Sequence, residues 1–163
     1  MMEENEHSTN DYTYLYGFRS RKYYKLFITE NGICGAVIAG TIPDAIMADI
    51  MLPRNPAGFF LEPVYNKKIL KRHDKEDELN PTIIDNLHFL KLDKKNFFWA
   101  KEGIQQVRIQ TKMHNFTWPA KNSGTITFVL PKKKKKTFIM YPVQDVENLI
   151  ESLKKIVSNV KVI

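Results

Sequence analysis

Apolar and polar residues alternate along several short stretches of this chain, which is the period expected of β-strands. The clearest stretch is Tyr23–Thr29, in which Tyr24, Leu26 and Ile28 share one face. Asn31-Gly32 follows it directly and indicates a tight hairpin turn, because both residues tolerate positive φ. The same pattern predicts seven strands, at residues 23–30, 33–41, 87–92, 96–100, 104–113, 125–131 and 136–141.

The period changes near the C-terminus, where Asp145–Val157 is predicted to form a helix. Asp145 can cap its first turn, and Glu151 precedes Lys155 by four residues, the favourable order for an ion pair along a helix. One apolar stripe runs along this helix, formed by Val146, Leu149, Ile150, Leu153, Ile156 and Val157. A strand-rich chain that ends in one amphipathic helix must lay that helix against the sheet or barrel before it.

Two parts of the chain lack this regular pattern. Residues 1–22 are predicted to be an N-terminal extension, partly disordered, with an extended segment at 12–18 that rests on the body of the protein. Residues 42–86 are predicted to be an insertion in the domain formed by residues 23–163. Within the insertion, Pro43–Met51 favours a short helix and Asn66–Asn80 a solvated, mobile loop.

Three stretches of the chain resemble the pleckstrin-homology-like (PH-like) fold, particularly its bacterial and GRAM-like branches. They are Tyr23–Ile33 with its strand-turn-strand pattern, the aromatic strand and Ile-x-x-Val-x-Ile strand of Phe97–Ile109, and the strand and helix of Phe138–Val157. The resemblance implies a mainly β (α+β) fold, a seven-stranded antiparallel, partly open barrel capped by the C-terminal helix. The long insertion then follows the second strand, and the insertion and the N-terminus have no counterpart in the resemblance.

Domains of this family usually bind lipid headgroups, peptides or proteins rather than catalyse reactions, so the fold by itself leaves the partner open. Phosphoinositide sites in the family use basic residues in the loop that joins the first two strands. Here the corresponding turn is Asn31-Gly32, which carries neither lysine nor arginine. The sequence therefore departs from the lipid-binding pattern at this position.

Composition and charge exclude several classes of protein. The chain has 163 residues and a net charge of +7, of which Lys132–Lys136 supplies five, leaving +2 elsewhere. Basic residues are not spread along a face with interleaved aromatics, so nucleic acid is not an expected partner. No run of 18 uncharged apolar residues and no signal-peptide pattern occurs, and Cys34 is the only cysteine, so a cytoplasmic protein without disulfides is expected.

Two features suggest a binding surface. The run Lys132–Lys136 fits electrostatic attachment to an anionic surface, or equally a solvated turn that prevents aggregation of sheet edges. Phe59-Phe60 lies in a proline-rich segment, where it would form a docking patch if exposed or a cover over the barrel if packed down. The candidate partner-binding residues are Lys132, Lys133, Lys134, Lys135, Lys136, Phe59 and Phe60.

No catalytic constellation is present in the sequence. The four histidines have no metal-ligand spacing, so neither a metal nor a cofactor is expected, and Cys34 is expected to be a buried apolar residue with a raised pKa. The leading hypothesis is a non-enzymatic binding module for a protein or peptide partner, including self-association as a homo-oligomer. The alternatives are a peripheral membrane module that uses Lys132–Lys136, and an enzyme with a site in the insertion.

Overall fold

The computed structural model describes residues 12–17, 20–40, 58–114, 122–140 and 145–163. Eight strands form one sheet. They are β1 (Tyr12–Gly17), β2 (Lys22–Thr29), β3 (Gly32–Ala39), β4 (Phe97–Ala100), β5 (Gln106–Gln110), β6 (Thr125–Leu130), β7 (Lys134–Met140) and β8 (Val160–Val162). Three α-helices accompany the sheet, namely α1 (Gly58–Asp77), α2 (Pro81–Asp85) and α3 (Val146–Ile156). The prediction of a mainly β fold is therefore confirmed.

The sheet runs in the order β4-β3-β2-β1-β7-β6-β5-β8, with β4 and β8 at its two edges. Every neighbouring pair is antiparallel except β5 and β8, which are parallel. The described residues thus form an eight-stranded mixed sheet that is not closed, where seven antiparallel strands were predicted. The parallel strand β8 follows a helix, and three residues are too few to show a periodic pattern.

Strand β1 was missed by the sequence prediction, which treated residues 12–18 as a segment resting on the body. Instead, Tyr12–Gly17 lies inside the sheet, where Leu15 pairs with Tyr24 of β2 on one side and with Met140 of β7 on the other. This strand joins the two halves of the sheet. Its alternating pattern is that of a half-buried strand, but a single alternating stretch does not reveal which neighbours it will find.

The sheet curls so that side chains from strands far apart in its order meet inside. Phe97 of β4 packs at 5.8 Å, ring centroid to centroid, from Phe138 of β7. The ring also lies over Gly35, where an added Cβ would come within 2.2 Å of it. The small residues of β3 were expected to allow close approach of another element, and at Gly35 that element is the β4 aromatic ring.

Helix α3 covers the inner, concave face of the curled sheet. Leu149, Leu153 and Val157 join the buried inner cluster, which includes Leu26, Ile126 and side chains from β1 to β7. Asp145 accepts a hydrogen bond from the Asn148 amide at 3.0 Å, which caps the helix as predicted. The predicted helix over Asp145–Val157, its cap and its apolar stripe are confirmed.

A second hydrophobic cluster lies on the outer face of the β1–β4 half. Cys34 and Ile38 of β3 meet Leu79, Ile84 and Phe89, which come from the segment between β3 and β4. Because both faces of β3 are covered, seven of its eight residues are buried. The segment predicted as an insertion therefore supplies a second layer of the core.

Two local predictions in this segment were wrong. Asn66–Asn80, predicted as a loop, includes the second half of α1, which its lysine, arginine and glutamate residues favour. Residues 87–92, predicted as a strand, form a turn at Leu87 with φ of 57° and a 3₁₀ helix over His88–Lys91. Phe89 and Leu90 are neighbouring apolar residues, so strict alternation fails there. The predicted helix at Pro43–Met51 lies outside the described residues.

Candidate basic rim

The lysine run Lys132–Lys136 lies at the tip of the β6–β7 hairpin. Leu130 pairs with Lys134, so that Pro131–Lys133 closes the hairpin as a three-residue connection. Lys132 and Lys133 both have positive φ, 59° and 57°, which turns the chain back sharply. The run was predicted to lie in a turn, but Lys134–Lys136 belong to strand β7.

Strand pairing decides which face each strand lysine occupies. Lys134 lies opposite Leu130 and Lys136 opposite Phe128, two residues of the inner cluster, whereas Lys135 lies opposite Val129. Because directly opposed residues share a face, Lys134 and Lys136 stand on the inner face at its open end. Lys132–Lys135 are exposed and Lys136 is half-buried, so the charged ends reach solvent while the alkyl stems cover apolar neighbours.

The turn between β1 and β2 lies beside this hairpin. Gly17 pairs with Phe138, so the chain beyond Gly17 continues alongside the residues that precede Phe138 in β7. The Arg21 amide donates to the Gly17 carbonyl at 2.9 Å and closes the turn, and Arg21 itself is exposed. Burial raises the pKa of Tyr16, and the nearby positive charge of Arg21 opposes that rise.

A third segment, just before β4, is tied to the same turn. The Lys95 ammonium group donates to the Ser20 carbonyl at 2.9 Å. The Lys95 amide donates to the Asp93 carboxylate at 2.8 Å. Next to them, Asn96 accepts from the Val37 amide at 2.7 Å and donates to the Phe89 carbonyl at 2.6 Å, which anchors the segment between β3 and the outer layer.

These three segments form a surface that we call the basic rim. It comprises Arg21, Lys22, Lys94, Lys95, Lys132, Lys133, Lys134, Lys135 and Lys136. Asp93 is the one carboxylate within these segments, so they carry a net +8 against +7 for the whole chain, and the rest of the chain carries −1. The positive charge of this protein is therefore concentrated at one end of the curled sheet.

The rim contains five residues predicted from sequence and four that were missed. Arg21 and Lys22 were missed because β1 was not recognised, so Asn31-Gly32 was taken as the first loop. The loop between the first two strands is in fact the turn before Lys22, and it does carry basic residues. Lys94 and Lys95 had no sequence signal, because only the contact with Ser20 reveals their position.

Phe59 and Phe60 do not belong to this surface on present grounds. Their backbone forms the first turn of α1, not a loop as predicted, and their side chains lie outside what the structure describes. The structure therefore leaves their predicted role as a docking patch untested.

The chemistry available to the described residues is binding of anions. Burial raises the pKa of the Cys34 thiol to about 12, with a smaller contribution from the nearby Asp85 charge, so the thiol stays protonated at neutral pH. Within the described ranges no group of three or more histidine, cysteine, aspartate or glutamate residues is arranged to hold a metal ion. Lysine and arginine side chains at the rim offer only hydrogen-bond donors and positive charge.

Comparison with known proteins does not assign a family: no family model, no curated protein and no solved structure matches this chain. Among the described residues, none of the helices is both long enough and apolar enough to cross a membrane. Any functional assignment therefore rests on the rim itself.

Proposed function

We propose that this chain is a non-catalytic binding module whose basic rim docks on an anionic membrane surface. The observation that carries the proposal is the convergence of three separate segments, which bring nine cations and one carboxylate to one end of the sheet. Separate segments that converge on one charge are harder to explain by solubility than a single lysine run. A cytoplasmic address is part of this proposal.

The finer fold assignment is also a proposal. The order β4-β3-β2-β1-β7-β6-β5 is a run of antiparallel neighbours, with α3 against the inner cluster. This arrangement supports a PH-like barrel that is open between β4 and β5 and carries β8 as an addition. The open end of such a barrel is where the rim lies.

The expected binding is weak and reversible. Each lysine or arginine near an anionic leaflet contributes roughly 1 kcal/mol. Only those within about 8 Å, the Debye length at physiological salt, contribute fully. If about half of the rim cations reach that distance, attraction of about 4–5 kcal/mol corresponds to a dissociation constant near the millimolar range. Dense anionic lipid or a second attachment would strengthen it.

Flotation of the full chain with phosphatidylcholine vesicles, with and without phosphatidylserine, tests the proposal. We expect binding only with phosphatidylserine, and a steep loss at high salt. Two double variants, Lys133→Gln with Lys135→Gln and Arg21→Gln with Lys94→Gln, should each weaken binding roughly ten- to thirtyfold, since each removes two charges. The second variant leaves the lysine run intact and so tests whether the rim acts as one surface.

A matched control removes the same charge elsewhere. Lys67→Gln with Lys71→Gln alters two exposed lysines of α1 and should leave vesicle binding nearly unchanged. Equal losses in all three double variants would mean that net charge alone drives attachment. If the wild type ignores phosphatidylserine but binds an acidic peptide through the rim, the partner is a protein, as the leading sequence hypothesis held.

A further inference from the structure

The C-terminal strand β8 is held against β5 by a short, well-defined set of contacts. The Val107 amide donates to the Asn159 carbonyl at 2.9 Å, and the Ile163 amide donates to the Ile109 carbonyl at 2.8 Å. Gln106 adds a side-chain hydrogen bond to Asn159 at 3.2 Å. The β5 edge therefore accepts an extended segment that runs parallel to it.

The segment that occupies this edge is small and lies at the end of a helix. Val160 is half-buried against the inner cluster, whereas Val162 and Ile163 are 49% and 73% exposed. Three residues, Val157–Asn159, connect α3 to β8, and Val157 is already extended, with φ of −123° and ψ of 121°. Releasing β8 therefore requires loss of one short ladder and little change in the helix.

Exposed apolar side chains gather at this edge. Of the five large apolar residues that are exposed in the described part of the chain, Val162 and Ile163 belong to the C-terminal segment and Met113 follows the end of β5. The other two, Leu70 and Leu92, lie in the segment between β3 and β4. Clustered exposed apolar groups beside a sheet edge are typical of a surface that another chain covers.

We propose that the β5 edge is a strand-docking site that accepts the β8 strand of a second copy of this chain in place of its own, so that two copies exchange these strands. The structure shows the occupant directly, because the segment that fits the site is carried by every copy. Exchange of an identical element preserves each contact made within one chain. Its additional gain is coverage of Met113, Val162 and Ile163 where the two copies meet.

This inference is independent of the basic rim. A strand on its own chain is present at a high effective concentration, so exchange requires a concentrated sample or a partly opened state. We expect monomers at low concentration and a growing fraction of dimers as concentration rises.

The test uses the full chain. Isotope-labelled and unlabelled copies are mixed, concentrated and sized by light scattering, and contacts between copies are read by isotope-filtered NMR. Exchange predicts NOEs between Val107 or Ile109 of one copy and Val160 or Val162 of the other. A protein that stays monomeric at every concentration overturns the proposal, as does a dimer whose β5–β8 NOEs are all within one chain.

Two proline variants separate exchange from simple pairing of β8 edges. Ile163→Pro removes a donor that faces β5 in the monomer and the dimer alike, so the dimer fraction should stay constant while subunits exchange roughly fivefold faster. Val162→Pro introduces the same ring where the amide points away from β5, so both the exchange rate and the dimer fraction should be unchanged. Loss of the dimer in Val162→Pro would instead indicate edge-to-edge pairing and refute strand exchange.

Discussion

The indole of Trp99 lies 5.2 Å from the ring of Phe128, measured between ring centroids. Trp99 is in β4, at one edge of the sheet, and Phe128 is in β6, the sixth strand in sheet order. Contact between them is possible only because the sheet curls. This aromatic pair therefore links the two halves of the molecule across the gap between β4 and β5.

We expect that pair to contribute strongly to stability. Phe128 is fully buried, so Phe128→Ala should cost about 3–5 kcal/mol of the free energy of unfolding. A double-mutant cycle with Trp99→Ala, measured by urea unfolding, should give a coupling energy of about 0.5–1.5 kcal/mol. Additive losses would mean that the rings touch without linking the two halves.

Asn96 should be important for holding the outer layer on the sheet. Asn96→Ala leaves the Val37 amide and the Phe89 carbonyl without their partner, at a cost of about 1–3 kcal/mol in unfolding free energy. Asn96→Asp retains the acceptor for Val37 and loses only the donor to Phe89, so it should cost less at neutral pH. Equal losses in the two variants would contradict this division.

Stability should fall in alkaline solution partly because of Cys34. Its pKa is about 12 in the folded protein against 9.0 for an ordinary thiol, so the folded state binds this proton more tightly. The stabilisation is complete below pH 9 and is lost as pH rises toward 12, by about 1.4 kcal/mol per pH unit for one proton.

The Cys34→Ala variant isolates this effect. Burial also raises the pKa values of Tyr16 and Tyr24, which contribute a similar fall in both proteins. Urea unfolding between pH 8 and pH 11 should give a shallower decline for the variant, whatever its stability at neutral pH. Parallel declines would show that the Cys34 thiol ionises as easily in the folded state as in the unfolded one.

The cap of α3 gives a smaller prediction. Asp145→Ala removes the acceptor of the Asn148 amide and should cost about 1 kcal/mol in thermal or urea unfolding. Asp145→Asn keeps a capping oxygen and should remain within a few tenths of a kcal/mol of the wild type. A loss in Asp145→Asn as large as that in Asp145→Ala would point to the charge rather than the hydrogen bond.

Local physical chemistry was legible in the sequence. The alternation in Tyr23–Thr29, the Asn31-Gly32 turn and the periodic stripe of Asp145–Val157 each depend on neighbours within a few residues, and the structure has these elements. The buried, protonated state of Cys34 also followed from its apolar strand. The lysine run was visible as a charge cluster, although its division between a turn and β7 was not.

Tertiary structure alone decided how those elements were combined. The inclusion of β1 in the sheet, the parallel β8 and the helical segment over the outer face depend on partners distant in the chain. The basic rim has the same origin, because pairing of Gly17 with Phe138 and the hydrogen bond from Lys95 to Ser20 bring three segments together. Local patterns record which face of an element is apolar, but burial against a distant element determines which faces meet.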